Sequence, residues 1–266
     1  MVNIKKISIA ILVVVILVGC KDKEEAGEAK TEVKTPDQLV KKILGDMIKI
    51  PGGTFMMGTD NIKYSDFYGS NQHPHQVIVN SFYMEKFLVT IAQLNVLKRI
   101  ENKPIDNDPT LSPKLLSYTS PASFIHYTEA ESFCVWLAKQ TGLPFKLPTE
   151  AQWMYAATDK GTMIVATNNG KWEYCKNAPC LDPKGPETVD QYPPNPMGIN
   201  IMMLQHQWTQ DWYGDGYYWV SPKDNPQGPS TGTQKTLVGG GGTSFTVWEE
   251  TYQVMRMGVM LRRSAV

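Results

Sequence analysis

The 266-residue sequence predicts a single α+β domain with few regular elements and long loops, and three observations carry that reading. Period-two alternation of apolar residues marks short strands early in the chain. The same helix-start chemistry recurs three times in the middle. Beyond Thr158 helical periodicity ends, and Gly, Pro, Asn and Asp are scattered through the remainder.

Taken in order, "MIKIPGGTFMMG" reads as a strand from Met47, a Pro51-Gly52-Gly53 turn and a second short strand. "HQVIVNSFYME" alternates and predicts one strand from about Gln76 to Met84. Thr90 with Gln93, Thr128 with Glu131 and Thr149 with Gln152 then open three helices, each pairing a capping hydroxyl with a side chain that reaches back to a free amide. On the second of these, Ala130, Phe133, Cys134 and Leu137 share one face, and Gly142 with Pro144 beyond it forms the stop. Cys134 is expected as a small buried hydrophobe. Glu150 falls in a first helical turn, where the dipole favours a structural carboxylate. Trp153 and Tyr155 are expected in the core with their polar ends partnered, and His126 as a packed histidine ahead of a cap. Lys235–Val238 and Val254–Leu261 predict the last strands.

Charge is balanced, with 26 Lys+Arg against 26 Asp+Glu and no dense basic cluster, so a nucleic-acid partner is not expected. The opening "MVNIKKISIAILVVVILVGC" has two early lysines, an apolar run too short to span a bilayer and small residues before a cut. It resembles a bacterial lipoprotein signal: residues 1–19 would be removed and Cys20 lipidated. Lys21 after the cysteine then points to the outer membrane, facing the periplasm. "KDKEEAGEAKTEVKTPDQ" alternates in charge and reads as a solvated tether, giving expected boundaries of 20–46 for the tether and 47–266 for the domain. In an oxidising compartment Cys175 and Cys180 of "CKNAPC" are placed to close a small disulfide loop.

The stretches "IPGGTFMMG", "HPHQVIVNSFYMEKFLVTIAQL", "SPASFIHYTEAESFCVWLAKQTGLPFKLPTEAQWMYAA", "NPMGINIMM", "WTQDWY" and "NPQGPSTGT", in this order, resemble the formylglycine-generating enzyme (sulfatase-modifying factor) family. "LPTEAQW" is the most specific of them. The resemblance implies a loop-rich variant of the C-type-lectin fold. It also implies copper held by two cysteines near the C-terminus, since soft Cu(I) seeks thiolate sulfur. The tail here, "SFTVWEETYQVMRMGVMLRRSAV", contains no cysteine, and its ending reads Leu261, Arg262, Arg263. Methionine thioethers at Met255, Met257 and Met260 could hold Cu(I), but the simpler reading of the three is as core strand residues. The family also carries a Gly-Asn-x-Trp-Glu-Trp segment that contributes oxygens to Ca²⁺. Here it reads "MLQHQW": Leu204 stands for the asparagine, Gln207 for the glutamate, and Trp208 is kept. Exchanging a charged oxygen for an amide and another for an alkyl chain should abolish tight calcium binding. Asp211 and Asp215 are expected to be hydrogen-bonded or solvated. In "VGGGGTSF" the family's arginine before its glycines is gone, and Gly239 to Gly242 suggest a tight turn rather than a phosphate loop.

His73-Pro74-His75 offers two ligands, too few for a structural metal site, and no nucleophile sits in a recognisable hydrolase turn. With no catalytic residue, metal or cofactor assigned, the expectation is a non-catalytic lipoprotein that binds another protein. The favoured form is an immunity protein neutralising an exported toxin effector, such as one delivered by type VI secretion, with the membrane touched only through Cys20. The alternatives are an accessory component of an envelope assembly and a metal-dependent maturation oxidase, which would need His73, His75, His126 and His206 to converge. Residues 197–219, rich in Trp, Tyr, Met and Gln, are the expected contact region, with His206, Gln207, Trp212, Tyr213, Tyr217, Tyr218 and Trp219 as its candidate surface.

Overall fold

The computed structural model describes residues 33–59, 72–104, 119–122, 125–178, 188–200 and 206–239, with three short strands beyond them. Residues 1–32, including the predicted leader and Cys20, lie outside the described residues, as do Cys180, Leu204 and Met257.

The folded body starts earlier than the sequence reading places it. Helix α1, Pro36–Gly45, occupies the segment expected to be tether. Its start is a capping box: Gln38 N–H donates to Thr35 Oγ1 at 3.3 Å, and Thr35 N–H donates to Gln38 Oε1 at 3.2 Å. Pro36 sits in its first turn, and Leu39 and Ile43, one turn apart, are fully buried together with Val33 ahead of the helix. Asp37 and Lys41 are exposed on the outer face of this amphipathic helix.

Strands β1 (Met47–Ile50), β2 (Gly53–Met57), β3 (His75–Val79) and β4 (Phe82–Glu85) form one long antiparallel ribbon, broken at the same level on both sides. The single strand predicted from Gln76 to Met84 is therefore two, parted at Asn80–Ser81. At that corner Ser81 Oγ accepts the Gly52 amide at 2.9 Å, and a Cβ on Gly52 would lie 2.6 Å from the Val79 carbonyl oxygen. Only glycine permits that approach.

Helices α2 (Ile91–Ile100) and α3 (Tyr127–Thr141) follow, then the short strand β5 (Phe145–Lys146) and α4 (Glu150–Ala157). The caps at Thr90 and Thr149 form as predicted. Helix α3 starts one turn-fraction early: Glu129 Oε2 accepts the His126 amide at 3.0 Å, so His126 rather than Thr128 is the N-cap. His126 is consequently exposed, not packed. Gly142 ends the helix in the left-handed conformation, φ 68°.

The second half supplies β6 (His206–Trp212), the one-turn helix α5 (Tyr217–Val220) and β7 (Gln234–Gly239). Short strands β8 (Thr246–Trp248), β9 (Met255–Arg256) and β10 (Met260–Leu261) complete the sheets. The order is β1-β4-β10-β5 in one sheet, β2-β3 in a second and β8-β7-β6-β9 in a third. The predicted strand Val254–Leu261 is split, with β9 running parallel to β6 and β10 joining β4 and β5. One apolar cluster gathers α1, α2 and α3; another gathers β2, β3 and α4. All eight residues of α4 are buried, which makes this helix the hub on which the candidate site is built.

Candidate functional site

Helix α4 is gripped at both ends by distant chain. At its C-terminus, Asn195 Nδ2 donates to the carbonyls of Ala156 and Ala157 at 2.8 and 3.2 Å, satisfying acceptors that a helix end leaves open. At its N-terminus, the Glu150 amide donates to Asp211 Oδ2 at 3.0 Å, placing a carboxyl of β6 where the helix dipole welcomes negative charge. One turn further on, Trp153 Nε1 donates to Gln207 Oε1 at 2.9 Å. The "LPTEAQW" stretch thus meets strand β6 through two buried hydrogen bonds.

The Glu150 side chain completes the cluster: Tyr218 Oη donates to Glu150 Oε1 at 2.8 Å. Burial pushes the Glu150 carboxyl up to about 7, opposed in part by the bond from Tyr218. Burial, with the neighbouring Glu150, pushes Asp211 up to about 8, against the backbone amides and Lys235 that favour its charge. Asp211 has room only because residue 228 is glycine. Gly228 has φ +76°, and a Cβ there would stand 2.7 Å from that of Asp211.

From Tyr218 the site runs outward to the predicted His-Pro-His segment, a connection the sequence reading did not make. The His75 ring meets Tyr218 edge-on, centroids 4.8 Å apart. His75 Nδ1 lies 3.0 Å from the His73 carbonyl oxygen. His73 in turn stacks face to face on Trp219, centroids 3.5 Å apart and planes within 9°. Trp219 is nevertheless 67% exposed and Val220 76% exposed. The segment after α5 is pinned beside β3, with Ile78 N–H donating to the Lys223 carbonyl and Asn225 N–H to the Ile78 carbonyl, both at 2.8 Å.

The seven residues expected as one surface are thereby divided. Gln207 and Tyr218 are buried, at 2% and 7% exposure, because each satisfies a polar atom on α4. They are interior residues, which corrects the expectation. Trp212 is half-buried beneath Lys235, whose Nζ stands 3.7 Å from its ring centroid and 4.5 Å from that of Tyr127 while donating to the Gln210 carbonyl at 2.9 Å. Tyr213 and Tyr217 are half-buried, and so is His206, where burial pushes the imidazole pKa down. Trp219 alone of the seven is exposed, apart from the one face that lies on His73.

The thiols divide as well. Cys134 is free and buried on α3, and desolvation pushes its pKa far up, opposing the thiolate form that metals need. Cys175 is disulfide-bonded, and Cys180 lies outside the described residues. Gln207 Oε1 is turned to Trp153 rather than outward to an ion. Among the described residues no group of three or more His, Cys, Asp and Glu side chains is arranged to hold a metal ion. His73 and His75 come together, but His126 caps α3 and His206 opens β6 in another sheet.

The sequence profile of the sulfatase-modifying factor enzyme 1-like domain matches residues 32–262. The chain belongs to that family. Its match begins at residue 32, just ahead of α1, consistent with a body that includes this helix. Among relatives, the chain is 28% identical over 234 residues to the Serine/threonine-protein kinase pkn1 of Chlamydia pneumoniae, covering 80% of this chain and 35% of that protein. It thus spans about a third of the kinase-named relative's length. It is also 24% identical over 255 residues to the Formylglycine-generating enzyme of Mus musculus, covering 74% of this chain and 66% of that one. Among solved structures, PvdO from Pseudomonas aeruginosa matches with a TM-score of 0.68 at 18% identity, covering 82% of this chain and 94% of that one. Treponema denticola variable protein 1 matches with a TM-score of 0.62 at 16% identity, covering 82% and 95%. These likenesses show an α+β, loop-rich fold of the formylglycine-generating-enzyme type.

Proposed function

We propose that this sulfatase-modifying-factor domain is a non-catalytic binding module that captures another protein through the fixed indole of Trp219. The observation that carries the reading is the disposition of its thiols. Copper chemistry of the family's kind requires two accessible thiolates. The chain has four cysteines and none between Cys180 and Val266. One of them, Cys134, is buried in its neutral form, and another, Cys175, is committed to a disulfide. These residues do not fit a copper site, so no oxidative step is derived through one.

What supports binding is the outer end of the site. An indole held flat on an imidazole presents its other face to solvent with its rotamer already fixed, which lowers the entropy lost on capture. Tryptophan at such a position is the residue type that dominates protein interfaces. Within this class the finer reading is a periplasm-facing lipoprotein, anchored at Cys20, that neutralises an exported toxin effector.

The test is capture of effectors from secreting neighbour cells by the immobilised protein, beside a Trp219→Ala variant and a copper-loading assay. Retention of one effector by the wild type, its loss in the variant and no stoichiometric copper are the expected results. Equal capture by both proteins, or one tightly held copper per chain, would overturn the proposal.

A further inference from the structure

The two buried carboxyls of the site are connected to the exposed indole by an unbroken line of contacts. Asp211 holds the amide of Glu150, Glu150 holds the phenol of Tyr218, and Tyr218 is the one buried residue of α5. The next residue, Trp219, leaves the core and lies on His73. A helix of one turn has little stability of its own, so the Tyr218 anchor orients α5 ahead of the segment pinned to β3. We propose that the Glu150–Asp211 pair is a proton-operated latch on the Trp219 platform. While the pair retains a proton, Tyr218 stays bonded and the indole stays stacked. When the last proton leaves, the anchor loosens and the platform loses its fixed orientation.

The charge balance supports this order of events. Loss of the first proton leaves a single buried carboxylate, which strengthens the bond from Tyr218 if it resides on Glu150. Loss of the second places two negative charges in one dry cluster, where like charges repel strongly. The groups facing the pair are Tyr217 and Tyr218 on α5, Tyr127 on α3 and Lys235 on β7. Of these only Lys235 brings a positive charge, and it is already held between Trp212 and Tyr127. The burial that raises both carboxyls places the two steps near and just above neutrality. His75 lies against Tyr218 and His73 under Trp219, so the test separates their rings from the latch.

As regulation of capture the inference rests on the proposed role of Trp219, but its test does not require a partner. The full chain is labelled with 5-fluorotryptophan, the Trp219 resonance is assigned with Trp219→Phe, and pH is raised from about 6 to about 10. The expected result is a transition in that resonance above neutrality. It persists in His73→Phe, which keeps a ring beneath the indole, and disappears in Glu150→Gln with Asp211→Asn. Tyr218→Phe keeps the ring and cuts the link, so the Trp219 transition vanishes while the acids still titrate in the stability profile. An indole signal that is flat with pH in the wild type, or a transition that survives either Tyr218→Phe or the double variant, overturns the latch. Capture that is indifferent to Trp219→Ala would instead sink only the binding role.

Discussion

Asp211 Oδ2 accepts the backbone amide hydrogen of Glu150 at 3.0 Å, joining β6 to the first turn of α4 across 61 residues of chain. Both side chains are buried, and both favour their neutral forms more than they would in an unfolded chain.

Stability should therefore fall as pH rises through the neutral range. The folded state binds more protons than the unfolded state between the ordinary carboxylate range and about 7 to 8. Their stabilising contribution is complete below the unfolded values, is lost progressively as pH climbs and is gone above the folded values. Urea unfolding across that window is expected to show a decline on the order of several kcal/mol in the wild type. In Asp211→Asn with Glu150→Gln the decline should shrink, leaving the part contributed by Glu85, whose carboxyl is pushed well up by burial and by the neighbouring Asp46. An unchanged slope would refute the assignment.

Gly228→Ala should be among the most damaging single methyl additions in the domain. It forces a side chain onto a φ of +76° and sets a Cβ 2.7 Å from that of Asp211. A loss above about 2 kcal/mol in chemical denaturation is expected. Gly45→Ala, where a Cβ meets nothing within 4 Å, serves as the comparison and should be close to neutral.

Gln207→Leu removes the acceptor of the Trp153 indole N–H and leaves a buried donor unsatisfied. The expected cost is about 1–3 kcal/mol, read from denaturant midpoints at constant slope. Combined with Trp153→Phe the cost should be less than additive, because the two changes delete one hydrogen bond. Strict additivity would mean that the contact contributes nothing.

Trp212 and Trp219 should behave oppositely although both come from one aromatic stretch. Trp219→Ala is expected to change stability by less than about 0.5 kcal/mol, as exposed residues do, and to abolish capture. Trp212→Ala strips the ring from beneath Lys235 and should cost more than about 1 kcal/mol. Thermal unfolding of the two variants side by side reads the difference.

The parts of this fold that local chemistry decides were legible in the sequence. The caps at Thr90 and Thr149 and the stop at Gly142 depend on residues within a few positions of each other, and all three form. Helix α1 had the same signals, with Thr35, Gln38 and Pro36 at the start and Leu39 and Ile43 on one face, but the charge run around them obscured an amphipathic helix. The corner at Asn80–Ser81 was hidden because strand alternation continues across it, and only the approach of Gly52 from the paired strand breaks it. The site was half legible. Local pattern marks its segments but places Gln207 and Tyr218 at the surface, because the groups that bury them, on Trp153 and Glu150, lie 54 and 68 residues away. The stack of His73 on Trp219 is a long-range contact of the same kind, and no spacing rule points to it.

The proposed function has this sulfatase-modifying-factor fold working by binding and without thiolate redox chemistry. Its most direct test is incubation of the purified protein with a cysteine-containing sulfatase peptide, copper and oxygen, with aldehyde read by mass spectrometry. The peptide cysteine is expected to be recovered unchanged; repeated turnover to formylglycine by this chain alone would overturn the binding reading.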